Sequence, residues 1–252
     1  MSGEERVATN LRNLLILEAL ANSDSPLTPT EINRDIGLPK QSIHRLCQTL
    51  VDEGFLIRDV TGKRLEPAPR TLKMAQGLFS SPQLNIARHQ VLRNISAITR
   101  ETVNFVVPEP TGMRYLDRVE TDWIFRIELP IGSTVPFYCT ASGKCYLASL
   151  SERNRETIIE AIKFERRTDK TISNGQQLNS EIEKVRNKGF AIDDEELFDG
   201  MIALAVPVRD AKGRFIAALA FHGPTQRLTV EGLEDHLDTM REGAKKLGHL
   251  LG

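Results

Sequence analysis

The chain lacks most of what would mark it as secreted, membrane-bound or broadly polycationic. Its three cysteines, Cys47, Cys139 and Cys145, are too few and too odd a set to staple a scaffold, and so sparse a set fits a reducing compartment. No apolar run approaches the roughly 20 residues of a membrane span. The opening Met1-Ser2-Gly3-Glu4-Glu5-Arg6 is polar and leads into no signal-peptide core. The expected location is therefore the cytoplasm, with no membrane partner. An excess of charge of either sign is also missing: the formal net charge is -1. Any nucleic-acid contact must then come from a local patch and not from a global field. No G-x-x-x-x-G-K-[ST] phosphate loop occurs, and no cofactor is expected. What remains is a globular chain, 40% hydrophobic and 27% charged, whose 252 residues suit one large domain or two ordinary ones.

The N-terminal third carries the clearest local pattern. Leu11, Leu14, Leu15, Leu17, Ala19 and Leu20 have helical spacing, and Asn22-Ser23-Asp24-Ser25-Pro26 reads as a loop. Thr28-Pro29-Thr30-Glu31 then has the form of a capping box with proline in the first turn. Ile32 and Ile36 share a face, and Gly37 offers a left-handed helix end. A longer helix is expected from Pro39 to Glu53, with Ile43, Leu46, Leu50 and Val51 as its buried stripe. Helix, tight turn and longer helix after a leading helix is the arrangement of a helix-turn-helix, whose last element enters the DNA major groove.

The outward residues of that last helix are Lys40, Gln41, Ser42, His44, Arg45 and Gln48, all able to donate to bases or phosphates. No acid interrupts them before Leu50. Phe55 to Arg58 and Arg64 to Pro67 flank Thr61-Gly62-Lys63 and read as a two-stranded wing with a basic tip. Lys40, Gln41, Ser42, His44, Arg45, Lys63 and Arg64 are the candidate DNA contacts, and double-stranded operator DNA is the expected partner. The plainer alternative is a helical bundle with a polar face. Residues 1 to 80 hold ten Lys/Arg and ten Asp/Glu, so affinity would rest on placement and not on bulk charge.

Ser80-Ser81-Pro82 marks a break, followed by a helix to about Arg100. The expected division is a winged helix-turn-helix over 1–78, a linker helix over 79–101 and a second domain over 102–252. In the second domain, strands are expected at Val103–Val107, Met113–Val119 and Trp123–Leu129. Helices are expected at Thr140–Leu150, Ser151–Phe164 and Gln177–Lys188. Strands return at Phe190–Asp193, Ile202–Val208 and Phe215–Phe221, before one final helix carrying Leu228, Leu233, Leu237, Met240 and Leu247. This is an α+β pattern with a mixed or antiparallel sheet.

Three segments of that domain are specific enough to compare. They are Gly132-Ser133-Thr134-Val135-Pro136-Phe137-Tyr138-Cys139-Thr140-Ala141-Ser142-Gly143-Lys144-Cys145-Tyr146-Leu147-Ala148, Lys188-Gly189-Phe190-Ala191-Ile192-Asp193-Asp194-Glu195-Glu196, and Gly213-Arg214-Phe215-Ile216-Ala217-Ala218-Leu219-Ala220. With the helix-turn-helix, in order and spacing, the chain resembles the IclR family of bacterial transcriptional regulators. The resemblance implies a GAF-like effector-binding domain, homodimers or homotetramers, and a small organic or aromatic acid as effector. It also implies a pocket lined by Ala141, Ser142, Asp193, Ala203, Ala220 and His222. The Ala141-Ser142-Gly143 turn would aim backbone N–H groups at an anion. Relatives often carry a small hydroxyl or thiol where Ala203, Ala220 and His222 stand, so His222 is expected to orient the acid.

Competing readings stand beside these. His222 could be a satisfied core histidine. Cys139 and Cys145 could serve a thiol- or metal-dependent enzyme or sensor, although their spacing is not that of a zinc site. The expectation is no catalysis and no metal. Of Asp193-Asp194-Glu195-Glu196, only Asp193 is assigned to the pocket and the rest to a solvated loop. Lys144 is expected to face solvent or pair locally.

Overall fold

A computed structural model of the chain describes residues 7–23, 25–79, 82–124 and 129–251. The chain divides into two compact units, Met1–Ser81 and Pro82–Gly252.

The first unit contains α1 (Arg12–Ala21), α2 (Pro29–Ile36), α3 (Lys40–Asp52), β1 (Leu56–Arg58), β2 (Leu65–Pro67) and α4 (Pro69–Phe79). The capping box forms: the Glu31 N–H donates to Thr28 Oγ1 at 3.2 Å, and the Thr28 N–H donates to Glu31 Oε2 at 2.7 Å. Gly37 ends α2 at φ 71°. Asn33 then clamps the turn, its amide nitrogen donating to the Leu38 carbonyl at 2.6 Å and its oxygen accepting from the Leu38 N–H at 2.9 Å. These bonds set the angle at which α3 leaves the turn. The buried stripe of α3 is Ile43, Cys47 and Leu50, whereas Leu46 and Val51 are half-buried. The cysteine acts as a small hydrophobe at the helical step from Ile43. Antiparallel β1 and β2 form the wing, with Leu56 opposite Pro67. Helix α4 was not expected from the sequence. Its opening Pro69 resembles a breaker, yet proline suits a first helical turn. The Ser80-Ser81 break lies outside the described residues.

The second unit contains α5 (Pro82–Thr99), β3 (Thr102–Glu109), β4 (Gly112–Val119), β5 (Thr134–Val135), α6 (Ala141–Ser149), α7 (Glu152–Ala161), α8 (Gly175–Lys188), β6 (Ala191–Asp194), β7 (Met201–Arg209), β8 (Phe215–Pro224), α9 (Val230–Glu234) and α10 (Leu237–Leu251). The sheet runs β5-β4-β3-β8-β7-β6, and every neighbouring pair is antiparallel. Helices α5 and α10 pack on one face, and α6 packs on the other under α8. Strand alternation separates two cores. Phe105, Leu204, Val206, Leu219 and Phe221 face α5 and α10, while Ala191, Ala203, Ala205, Ala218 and Ala220 face α6.

Three expectations change here. Trp123, Ile124 and Leu129 are not in a strand, and the expected strand's centre, residues 125–128, lies outside the described residues. The short edge strand is β5 instead. The final helix is two, α9 and α10, because the chain leaves the helix at Asp235-His236 although its apolar spacing continues across the gap. Helix α7 stops at Ala161, short of Phe164.

Helix α6 starts hard against the turn at Phe137 that precedes it. A Cβ on Gly143 would overlap the carbonyl oxygen and Cα of Phe137. Gly143→Ala should therefore destabilise the second unit by about 1–3 kcal/mol. A urea titration reads this as a lower midpoint at constant slope, and an unmoved midpoint would mean that α6 can lift from this segment freely.

Candidate functional site

The DNA-facing candidates fall into two groups. Lys40, Gln41, His44 and Arg45 are exposed on α3, Ser42 is half-buried, and Lys63 is exposed at the wing tip. Among the described residues, the side chains of Lys40, Gln41, His44, Arg45 and Lys63 are held by no hydrogen bond or ion pair. Arg64 differs. Its guanidinium donates to Pro26 O at 2.7 Å and to both carboxylate oxygens of Glu31 at 3.1 and 3.2 Å. It props the wing against the start of α2. Gln48 is likewise engaged, accepting from Arg58 Nη2 at 2.7 Å and donating to Asp52 Oδ1 at 2.7 Å.

In the second unit the strand register aligns the expected pocket residues. Asp193 pairs with Ala203, Ala203 with His222, and His222 with Thr102, one row across β6, β7, β8 and β3. The next row on that face is Ala191, Ala205, Ala220, Asn104 and Arg118. Helix α6 lies over these rows, with Cys145 Sγ 3.2 Å from the Ala205 carbonyl. Ala203 and Ala220 keep 8% and 7% of their surface accessible, while Ala205 and Ala218 keep none. Solvent-sized space therefore reaches the sheet at Ala203 and Ala220. Ala141 and Ser142 are buried at the start of α6. The expected third donor is not available to an anion, because the Gly143 N–H already donates to Thr140 Oγ1 at 3.1 Å.

Charge at the site is arranged differently from the expectation. Lys144 neither faces solvent nor pairs locally. It is fully buried and forms an ion pair with Glu196, which is buried as well and not in a solvated loop. Folding places the first turn of α6 over β6, which the linear sequence does not reveal. Asp193 is 1% exposed, and its Oδ1 accepts from the Glu196 N–H at 2.7 Å. Burial, then repulsion by Glu196, pushes the Asp193 carboxyl up to about 7. Burial also raises the Glu196 carboxyl against the pull of Lys144.

The sequence reading missed Asn104 and Arg118. Arg118 Nε donates to Asn104 Oδ1 at 2.7 Å, and Asn104 Nδ2 lies 3.1 Å from His222 Nδ1. Arginine only donates, so the amide oxygen faces Arg118 and the amide nitrogen donates to His222. Neutral His222 then carries its proton on Nε2. One signal for this was present: Asn104 is a lone amide inside the apolar Val103–Val107 run.

The cysteines read differently from nucleophiles. All three are buried, and burial pushes the Cys139 and Cys145 thiols up to about 12, which disfavours the reactive thiolate. Among the described residues, no group of three or more His, Cys, Asp or Glu could hold a metal ion.

Comparison with known proteins agrees with this layout. Residues 11–60 match the model of the IclR helix-turn-helix domain, and residues 76–249 match that of the bacterial transcriptional regulator IclR C-terminal domain. The chain belongs to the IclR family. A Cupriavidus necator protein described as "Probable transcriptional regulator SauR" is 32% identical over 95% of both chains. The crystal structure of the Thermotoga maritima IclR is 26% identical, with a TM-score of 0.65 over 97% of this chain and 98% of that one. The inducer-binding domain of an Acinetobacter PobR double mutant, solved as its 3-hydroxybenzoic acid complex, is 28% identical with a TM-score of 0.62, covering 66% of this chain and 98% of that one. As an IclR-family member, this chain is a DNA-binding transcriptional regulator controlled by a small effector. Its relatives are named as regulators and not as enzymes.

The Asp193 shift has a signed consequence. A carboxyl whose folded pKa lies above its unfolded value binds its proton more tightly in the folded state, so its stabilising contribution is complete below the unfolded pKa and fades as pH rises through the folded one. With an ordinary value of 3.8 and a folded value of about 7, the wild type should lose stability relative to Asp193→Asn as pH climbs from 4 to 7. Chemical denaturation across that range checks it. A constant difference between the two proteins would show that Asp193 titrates normally.

Proposed function

We propose that the effector is a small carboxylate, an organic or aromatic acid of a catabolic pathway. It would sit between the first turn of α6 and the row Asp193–Ala203–His222. The observation that carries this reading is the solvent-sized space at Ala203 and Ala220, ringed by polar groups in an otherwise alanine-floored face. Ala141 and Ser142 supply the helix N-terminus, which favours negative charge. Asp193 fits an anionic guest because it still carries its proton below about pH 7, so it can donate to a carboxylate instead of repelling it. The 3-hydroxybenzoic acid complex of PobR gives this reading a chemical parallel.

On the DNA side, a homodimer, alone or paired into a homotetramer, presents two α3 helices to a pseudo-palindromic operator. Gln41, Ser42, His44 and Arg45 meet base edges or adjacent phosphates, and Lys40 and Lys63 meet phosphates. Arg64 acts as a wing strut first, since a DNA contact would compete with Glu31. The effector acts by binding one arrangement of the paired heads more tightly than the other, through α5 as the linker. The work of such a chain belongs in the cytoplasm, beside its operator.

Two measurements test these assignments. Arg45→Ala should weaken binding to the specific operator by about 1–3 kcal/mol if it reads a guanine. Equal losses on operator and random DNA would make it a phosphate contact. A thermal-shift panel of aliphatic and aromatic acids should give hits, since a ligand of the folded state raises the melting temperature by mass action. Benzoate, 3-hydroxybenzoate, succinate and pyruvate are the starting probes. His222→Ala and Asp193→Ala should each cut the best hit's affinity at least about tenfold, a loss of about 1.4 kcal/mol. Unchanged affinity in both variants would place the site elsewhere.

A further inference from the structure

Strand β4 carries neighbouring charged residues to opposite faces of the sheet. Arg118 stands across from Asn104 on the α6 face, and Asp117 stands across from Phe105 on the α5 face. On the first face, Arg118 Nε donates to Asn104, whose amide donates to His222. On the second, Asp117 Oδ2 accepts from Arg88 Nε at 3.0 Å and Oδ1 lies 3.0 Å from His89 Nδ1. Both partners belong to α5. Arg88 is 2% exposed and its guanidinium lies 5.3 Å from the centre of the Phe105 ring. The Arg118 backbone N–H donates to Asp117 Oδ1 at 2.8 Å and joins the two halves.

The chain of contacts is thus continuous through the sheet, from His222 to α5. It crosses at an irregularity of the β3–β4 ladder. The β3–β4 register shifts between Phe105 and Val106, so β4 spends an extra residue, Leu116, beside Asp117. A bulge breaks the ladder locally and lets the strand bend. Elsewhere α5 meets the sheet through an apolar core in which Leu92 and Ile95 join Phe105 and Phe221. Apolar packing tolerates small shifts that a buried charge pair with fixed hydrogen bonds resists.

We propose that Asn104, Arg118 and Asp117 are positioning residues that couple the site face of the sheet to α5. Displacing His222 shifts Asn104 and the Arg118 side chain. β4 turns about its bulge, and Asp117 changes its hold on Arg88 and His89. Asp117 is the point of delivery, since it touches both β4's Arg118 N–H and the helix. This deepens the reading of that face as the effector site.

The test needs no effector, so its failure is distinct from failure of the acid panel. Hydrogen–deuterium exchange is followed on the full chain for wild type, His222→Ala, Asp117→Asn and the double variant. His222→Gln and Asn104→Ser serve as milder perturbations from the same face if His222→Ala does not fold. The perturbation at His222 should raise exchange of α5 amides near Arg88 and His89 by roughly threefold or more, the scale of a modest coupling. Amides of α10, which packs on the same face without touching the network, should not respond. In the Asp117→Asn background the α5 response should vanish. Equal responses in α5 and α10, no α5 response, or a response that survives Asp117→Asn would each overturn the proposal. Acid binding in the panel with no coupling here would keep the site and remove this route. Coupling with no acid binding would do the reverse.

Discussion

Strand alternation is the constraint on which the second unit depends. In β3, β7 and β8 successive side chains must point to opposite faces, so a single stretch of sequence builds two different surfaces. Leu204, Val206, Leu219 and Phe221 make a dry, filled layer under α5 and α10. Between them Ala203, Ala205, Ala218 and Ala220 keep the other face low. Bulky residues at the alanine positions would fill the space beside Asp193 and His222. The candidate site is therefore a consequence of side-chain size on one parity of the strands, set against a fully packed opposite parity that holds the sheet in shape.

That arrangement also explains how so much charge is tolerated inside the unit. Lys144 and Glu196 are buried together, and Asp193 lies beside them with backbone N–H donors on Oδ1. Removing one member of such a group leaves a buried charge unmatched, which is strongly destabilising. The cluster therefore ties α6 to the end of β6, and those are the two elements that must stay in register for the start of α6 to face Asp193.

Much of this was legible in the sequence, and the limits have physical causes. The capping box at Thr28 and the left-handed Gly37 depend on neighbours a few residues apart, so local chemistry reveals them. The expected pocket row Asp193–Ala203–His222 comes from family resemblance, and the strand register places those residues side by side. Lys144 was misjudged because its partner is 52 residues away. Asn104 lies in an apolar run of β3 and Arg118 in the mixed strand β4, and only the pairing of those strands brings the two together. Helix α4 was missed because a proline reads alike as a stop or as a first turn. The break between α9 and α10 left no trace in the apolar spacing.

The wing of the first unit is held at two points. Arg58 reaches from β1 to Gln48 on α3, and Arg64 reaches from the wing to Glu31 at the start of α2. These ties limit how far the wing can swing away from α3 and α2. If Lys63 and Arg45 contact DNA as proposed, a duplex whose groove does not match their spacing must itself bend or narrow to meet both. Base steps that the protein never touches then contribute to operator choice through how easily they deform.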